Sequence, residues 1–440
     1  MTIGKFEPAY TFYKNFNDIK APKKLLRIAV RRGDGEVETA NLQILDGNLD
    51  FNIKYIERYV KTMLWCYGGY AVYLDGDDQI TKILSKIYSA NGKRAFDYDL
   101  MKSVYIKDGL DFYTVTNPDE FPISCNKAKT ISKNLGGRRI GFDAGGSDRK
   151  VTACVDGKVV FERETIWHPK TRSDIGYHIA GVRDDIDAAI FKLGGSFDSI
   201  GVSTAGIVID GELRRSSLLR MVPGSDIIEK GFGLFKDLET VYHKPIKVAN
   251  DGDAAALAGA FETGSGRMIG ASMGTSFAGG YVDRDMRILG YLNEFAFIPV
   301  DMSNDAPIDE WSGDRGCGVS YHSQDAAIRL ALEVDIDLTA GKTPAEKLNI
   351  IKDLAERGDN RALDVYDTMG EYFGYTALWL QQFYDIDKIM YLGRVSSGRG
   401  GQIILSKANQ ILKMEKSLAQ IISPSETQKR LGQSYAAALL

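Results

Sequence analysis

A chain of 440 residues is long enough for two or three domains, and 44% hydrophobic with 26% charged residues is the balance of a soluble globular protein. The formal net charge of -4 excludes the strong basic excess of a dedicated nucleic-acid binder. No stretch approaches the roughly 18 uninterrupted apolar residues of a membrane span and the amino terminus has no signal-peptide core, so a cytoplasmic protein is expected. Cys66, Cys125, Cys154 and Cys317 are scattered without a CxxC pair, which gives neither a disulfide framework nor a closed zinc site and predicts buried free thiols.

Residues 1–135 read as a mixed α/β domain. Strands "LLRIAV" and "ETANLQIL" flank the turn "RRGDGE", followed by helical "NIKYIERYVKTMLW", strand "GYAVYL" and helical "DQITKILSKIYS". The prolines, glycines and polar residues of "TNPDEFPISCNKAKTISKNLGGRR" predict a linker. A first α/β lobe is expected over 138–265. It opens with the strand from Arg139 to Asp143, the turn "AGGS" and two further antiparallel strands, then runs through helix "GYHIAGVRDDIDAAIFKL", strand "SIGVSTAG", strand "PIKVAND" and helix "GDAAALAGAFETG". A second lobe over 266–440 begins the same way, with strand, Gly/Ser/Thr turn, strand, acidic turn and strand in "RMIGASMGTSFAGGYVDRDMRILG". Helices at about 323–334, 344–357 and 361–382, the strand "KIMYLG", the loop "RVSSGRGG" and two closing helices follow. Two α/β units, each opened by a glycine-rich hairpin, predict a bilobal molecule with a ligand cleft.

The turns suggest what the ligand is. Backbone N–H groups converging in a glycine turn bind phosphate well, and "DAGGS" and "MGTSFAGG" each add a hydroxyl, Ser147 or Thr275. Either cluster alone is also ordinary hairpin chemistry; two of them opening parallel units favour phosphate. Asp143 closes an apolar strand, where a bare carboxylate costs several kcal/mol unless a cation or donors satisfy it, and Mg²⁺ accompanying a nucleotide would do so. In "VANDGDAAALAGA" an acidic residue at a strand-to-helix junction serves equally as a helix cap, with Asp251 and Asp253 fitting about equally, or as the base that takes a hydroxyl proton during phosphoryl transfer.

Taken in order, these motifs resemble the ROK family of sugar kinases and sugar-responsive repressors, within the actin/hexokinase-like ATPase superfamily, over about residues 138–440. The resemblance implies an α/β, bilobal actin-like ATPase (ribonuclease H-like) duplication, here with an extra N-terminal α/β domain. It implies an ATP- and Mg²⁺-dependent kinase acting on a hydroxyl of a sugar, sugar derivative or polyol, or alternatively a non-catalytic sugar sensor or transcription regulator. "GFDAGGS" is similar to the first phosphate loop, with Asp143 toward the metal and Gly145, Gly146 and Ser147 around the phosphates. Ala205 and Gly206 in "VSTAGIVIDGEL" would border the sugar. Asp251 would be the general base and Asn250 a sugar ligand. "GTSFAGGYV" resembles the second phosphate loop, with Gly274, Thr275, Gly279 and Gly280 matching, and Gly393 in "LGRVSSG" matches the adenosine-side loop. Partners are then a nucleotide and a small-molecule substrate, with neither a membrane nor a nucleic acid expected, and a homodimer is the assembly the resemblance allows.

The departures are specific. "NEFAF" keeps Glu294 as a sugar ligand but has Phe297 in place of the family's histidine. The zinc knuckle aligns with "EWSGDRGCGV", where Glu310, Ser312 and Cys317 fill the cysteine places and Val319 the glutamate place. One of four ligands survives, so no zinc is expected. An ordinary hexose should be disfavoured where polar partners are replaced by Phe297 and Val319. His168 and His178 read as structural histidines. Arg214, Arg215 and Arg220 read as a solvated basic face or a site for an acidic substrate. Residues 1–135 hold 20 Lys and Arg against 17 Asp and Glu and read as a hairpin rather than a helix-turn-helix, which sets the repressor behind the kinase. The aromatic "MLWCYGGYAVYL" is expected to pack this domain on the kinase-like body or to cover its cleft.

Overall fold

A computed structural model describes residues 3–33, 35–127, 136–425 and 434–440. The chain divides into two compact units, one of Met1–Lys127, Ala271–Gly279 and Tyr291–Ser423, the other of Ala128–Gly270, Gly280–Gly290 and Pro424–Leu440.

The amino-terminal part of the first unit runs α1 (Ala9–Asp18), β1 (Lys23–Arg31), β2 (Val37–Leu45), α2 (Leu49–Tyr67), β3 (Ala71–Asp75), α3 (Asp78–Ile87), α4 (Ala95–Tyr105) and β4 (Asp111–Thr114). Its sheet has the order β2-β1-β3-β4, antiparallel except for the β3/β4 pair. Asn48 and Asp77 cap α2 and α3 by accepting from Phe51 N and Ile80 N, as short polar side chains do for the orphan donors of a first turn. α2 is buried along most of its length, Glu57 and Lys61 included. The expected linker holds a single 3-10 turn at Pro118–Glu120, and Cys125 pairs with Val37 as an isolated bridge. Its stretch 128–135 lies outside the described residues.

The second unit contains β5 (Arg138–Ala144), β6 (Asp148–Val155), β7 (Lys158–Ile166), α5 (Ile175–Lys192), β8 (Ser199–Thr204), β9 (Ile207–Ile209), β10 (Glu212–Arg215), short turns of helix α6 (Gly224–Asp226) and α7 (Leu238–Tyr242), β11 (Ile246–Asn250) and α8 (Asp251–Thr263). The sheet order is β11-β8-β5-β6-β7, with β11, β8 and β5 parallel and the β5–β6–β7 meander antiparallel. Its apolar core joins Ile140, Phe142, Val151, Ile200 and Val202 of the strands to Val182 and Ile186 of α5. Arg149 and Arg163 bind Asp185 of α5 and tie that helix to the meander. Three parallel strands ending together set the carboxyl ends of β5, β8 and β11 along one edge, the place where open α/β sheets bind ligands.

β12 (Met268–Met273) and β13 (Phe277–Val282) follow, then α9 (Gln324–Glu333), α10 (Pro344–Arg357), α11 (Asn360–Leu380), β14 (Lys388–Leu392), α12 (Gly398–Met414) and β15 (Gln420–Ile422), with sheet order β13-β12-β14-β15. A capping box between Thr343 and Glu346 opens α10, and Gly358 in left-handed conformation closes it. Two expectations change here. The third strand expected after the acidic turn is an isolated Val282–Ile288 bridge, because Asp283 accepts from Asp285 N and Arg287 N and spends the segment on a tight turn. The expected loop "RVSSGRGG" is a 3-10 turn at Arg394–Ser396 leading into α12, whose first turn takes Gly400 and Gly401. Cys66, Cys154 and Cys317 are buried as expected, whereas Cys125 is exposed, since its backbone pairs at the sheet edge and leaves its side chain outside.

Candidate active site

Within the second unit, β5 and β11 both pair with β8. Asp143 stands opposite Ser203 and Asn250 opposite Thr204, so Asp143 and the Asn250–Asp251 pair lie two strands apart, roughly 10 Å, at the same end of the sheet. Asp143 is 7% exposed and forms no ion pair among the described residues. Burial, then the charge of Asp251, pushes its carboxyl up to about 7, against the opposing Ser203 hydroxyl. Desolvation likewise pushes Asp251 up to about 6, although the backbone N–H of Gly252 donates to it at 2.9 Å. Two buried carboxylates at one strand-end edge, Asp143 raised further by the charge of Asp251, fit a divalent cation, which would favour the charged form of both. Among the described residues no group of three His, Cys, Asp or Glu is arranged to hold a metal by itself, so a cation here would take its other ligands from water and substrate.

Asn250, rather than Asp251 or Asp253, is the cap of α8. Its Oδ1 accepts from Gly252 N at 2.7 Å and its Nδ2 donates to Gly206 O at 2.8 Å, which spends most of its side chain on fixing the strand-to-helix turn. Asp253 is buried and accepts from Tyr281 N at 2.9 Å, a structural role. Gly206 has φ 120° and the Arg215 carbonyl where a Cβ would sit, so the β8–β9 junction, packed on the end of β10, requires glycine. Ala205 accepts from the Ser216 hydroxyl at 2.5 Å.

The first glycine turn, Gly145–Gly146–Ser147, is held by its carbonyls. Trp167 Nε1 donates to Gly145 O at 2.8 Å and Trp167 N to Ser147 O at 3.1 Å. In the second glycine turn, Gly274 N is spent on Ser276 O at 3.0 Å while Thr275 is exposed at the tip. Gly279 and Gly280 are glycines for close packing. A Cβ at Gly279 would meet the Phe295 ring at 2.3 Å, and one at Gly280 would meet the Gly252 backbone at 2.0 Å. Gly393 has φ 101° and packs on the Met273 carbonyl.

In the first unit, Glu294 N donates to Trp65 O at 3.0 Å, and the Phe297 ring packs tilted against Trp65 at 4.3 Å and Phe96 at 5.2 Å between ring centroids. The aromatic segment of α2 therefore packs directly on the stretch that carries Glu294. The aligned zinc loop does not fit zinc. Cys317 is the one thiol there, and burial pushes it up to about 12, so it stays protonated. Ser312 donates to Asp309 at 2.5 Å. Asp314 already receives protein cations: Arg58 at 2.6 Å, Lys61 at 2.8 Å and Arg94. Burial alone would raise its carboxyl, yet Lys61, Arg58 and Arg94 hold it far below the usual range. Glu57 and Asp97 complete the cluster through Arg94 at 2.5 Å and Lys61 at 3.2 Å. No periodicity of the sequence announces this cluster; its one signal is the charge of Glu57, Arg58 and Lys61 in a buried stretch of α2.

His178 is buried, with its ring nitrogens against the carbonyls of Asp174, Pro169 and Leu218, a structural histidine. His168 is exposed. Arg214 pairs with Glu212 at 2.7 Å and lies over the Phe232 ring, while Arg215 and Arg220 are exposed.

Parallel strands crossed by a meander, with paired acids at their carboxyl ends, define an α/β protein of the actin-like ATPase fold, and solved structures agree. The ROK hexokinase of Thermus thermophilus matches with a TM-score of 0.53 at 19% identity, over 69% of this chain and 97% of that one. A ROK transcriptional regulator, a homologue of the E. coli MLC protein, matches at 0.55 and 16% over 82% and 87%. A ROK protein from Streptococcus pneumoniae, solved with sucrose, matches at 0.51 and 15% over 69% and 96%. The ROK family model matches residues 139–439, and the chain belongs to the ROK family. No curated protein matches it significantly. No helix among the described residues is long and apolar enough to cross a membrane.

Proposed function

We propose that this ROK protein is an ATP- and Mg²⁺-dependent kinase that phosphorylates a hydroxyl of a sugar, sugar derivative or polyol. The observation that carries the reading is the pair Asp143 and Asp251: two carboxylates at one sheet edge, raised by burial and, at Asp143, by the neighbouring charge. Asp251 is the general base. Raised to about 6, it is ionised at neutral pH and still basic enough to accept the proton of a hydroxyl as its oxygen bonds to phosphorus. Asn250 fixes the turn that presents Asp251. Gly145, Gly146 and Ser147 orient phosphate through their N–H groups, and Gly274, Thr275 and Gly280, with Gly393, are assigned to the nucleotide by family position. Mg²⁺ at Asp143, directly or through water, supplies neutralisation of phosphate charge. Glu294, Ala205 and Gly206 are assigned to the substrate, and Phe297, packed in an aromatic cluster, argues for one other than plain glucose.

The second reading, a sugar-responsive regulator, is favoured by the loss of the polar residue at Phe297 and by the likeness to a ROK regulator over 82% of the chain. ADP formation from Mg-ATP across a panel of sugars, polyols and sugar phosphates separates the two. The kinase reading expects turnover with at least one acceptor, falling about a hundredfold or more in Asp251→Asn while ATP binding persists. A raised melting temperature with a sugar, with no turnover on any acceptor, selects the regulator.

A further inference from the structure

We propose that Lys170 is a phosphate-binding residue of the first glycine loop, closing over a polyphosphate ligand held by the N–H groups of Gly145, Gly146 and Ser147. The identity of that ligand as a nucleotide rests on the kinase reading; the site itself rests on the geometry of the second unit.

Three observations converge. Trp167 takes the carbonyls of both Gly145 and Ser147, which fixes the turn with its acceptors spent on one side. Among the described residues, the N–H groups of Gly145, Gly146 and Ser147 donate to no protein acceptor, so a row of free donors remains in a turn that is already held in place. Three residues beyond Trp167, Lys170 folds back over that turn. A Cβ built on Gly146 would stand 2.7 Å from its Nζ and 2.8 Å from its Cε.

This half-buried ammonium has no ion-pair partner among the described residues. The neighbouring cation Arg172 is engaged elsewhere, over the Tyr177 ring. His178 steadies the segment by facing the Pro169 carbonyl next to Lys170. An ammonium beside a turn with three free amides calls for an anion with several oxygens, and lysine serves such a group as a point charge. The second glycine turn lacks this arrangement, because its Gly274 N–H is spent within the turn. Lys170 is therefore the cation of the phosphate site.

Calorimetric titration of the full chain with Mg-AMPPNP and, separately, with tripolyphosphate at fixed ionic strength tests this. Lys170→Met is expected to weaken both about tenfold or more and Lys170→Arg to stay within about threefold of wild type, with the ligand-free melting temperature of each variant unchanged. Equal binding by wild type and Lys170→Met overturns the assignment while leaving the kinase reading in place. Lys170-dependent binding of tripolyphosphate without binding of Mg-AMPPNP keeps Lys170 and removes the nucleotide. Binding of neither probe by folded wild type overturns both.

Discussion

Asp143 costs the ligand-free fold stability, and the cost has a sign that can be measured. Its folded-state value of about 7 lies above the ordinary value near 4, so the native state holds its proton more tightly than the unfolded chain does. Stability from this group is full at about pH 4 and is lost as pH rises through 7. Asp143→Asn, which needs no ionisation, is expected to melt about 5 °C above wild type at pH 8, and the gap should close toward pH 4; a thermal melt series reads it directly. The variant should also lose the stabilisation that Mg-nucleotide gives the wild type. Asp251 carries the same sign, so turnover should fall as pH drops through about 6, where its carboxylate takes up a proton and no longer accepts one. At this scale the sequence was informative where chemistry is local. Asp143 at a strand end before two glycines announces itself, whereas Lys170 becomes meaningful only once the chain turns back over Gly146, 24 positions earlier.

Among the elements, most helix and strand periodicity was legible, but α1, α4 and β4 were not anticipated. α9, α10 and α11 fall within a residue or two of the expected spans, because amphipathic patterns and caps are written in neighbouring residues. α2 was legible as a helix but not as the holder of a charge cluster, since a buried Lys61 acquires its partners from α4 and from Asp314. Removing one member of a buried ionic set leaves the others uncompensated. Asp314→Asn should therefore destabilise the unit by about 3–5 kcal/mol, read as a lowered denaturation midpoint. Chelating zinc from the wild type should leave its melting temperature where it was. The third strand of the second hairpin was misjudged for a similar reason: its alternation is present, but Asp283 bends the backbone before a ladder can extend.

For the molecule as a whole, residues 1–135 read in sequence as a domain of their own, while 1–127 share a compact unit with 291–423. The links are long in sequence and invisible to any local pattern: Pro8 bridges Asp301, Ala9 N donates to Val300 O at 2.9 Å, and Tyr67 donates to Phe383 O. A chain expressed without residues 1–127 should lose Arg58, Lys61 and Arg94 from around Asp314 and expose Trp379 and Phe383, which α1 and α2 now cover. It is expected to show no cooperative melt for 291–423 and rapid amide exchange throughout that stretch. The cluster around Asp314 also binds two parts of the chain into one hereditary fate. Three cations supplied before position 95 meet at the one acid at 314, and that acid, buried, depends on all of them, so these residues are expected to be exchangeable only together.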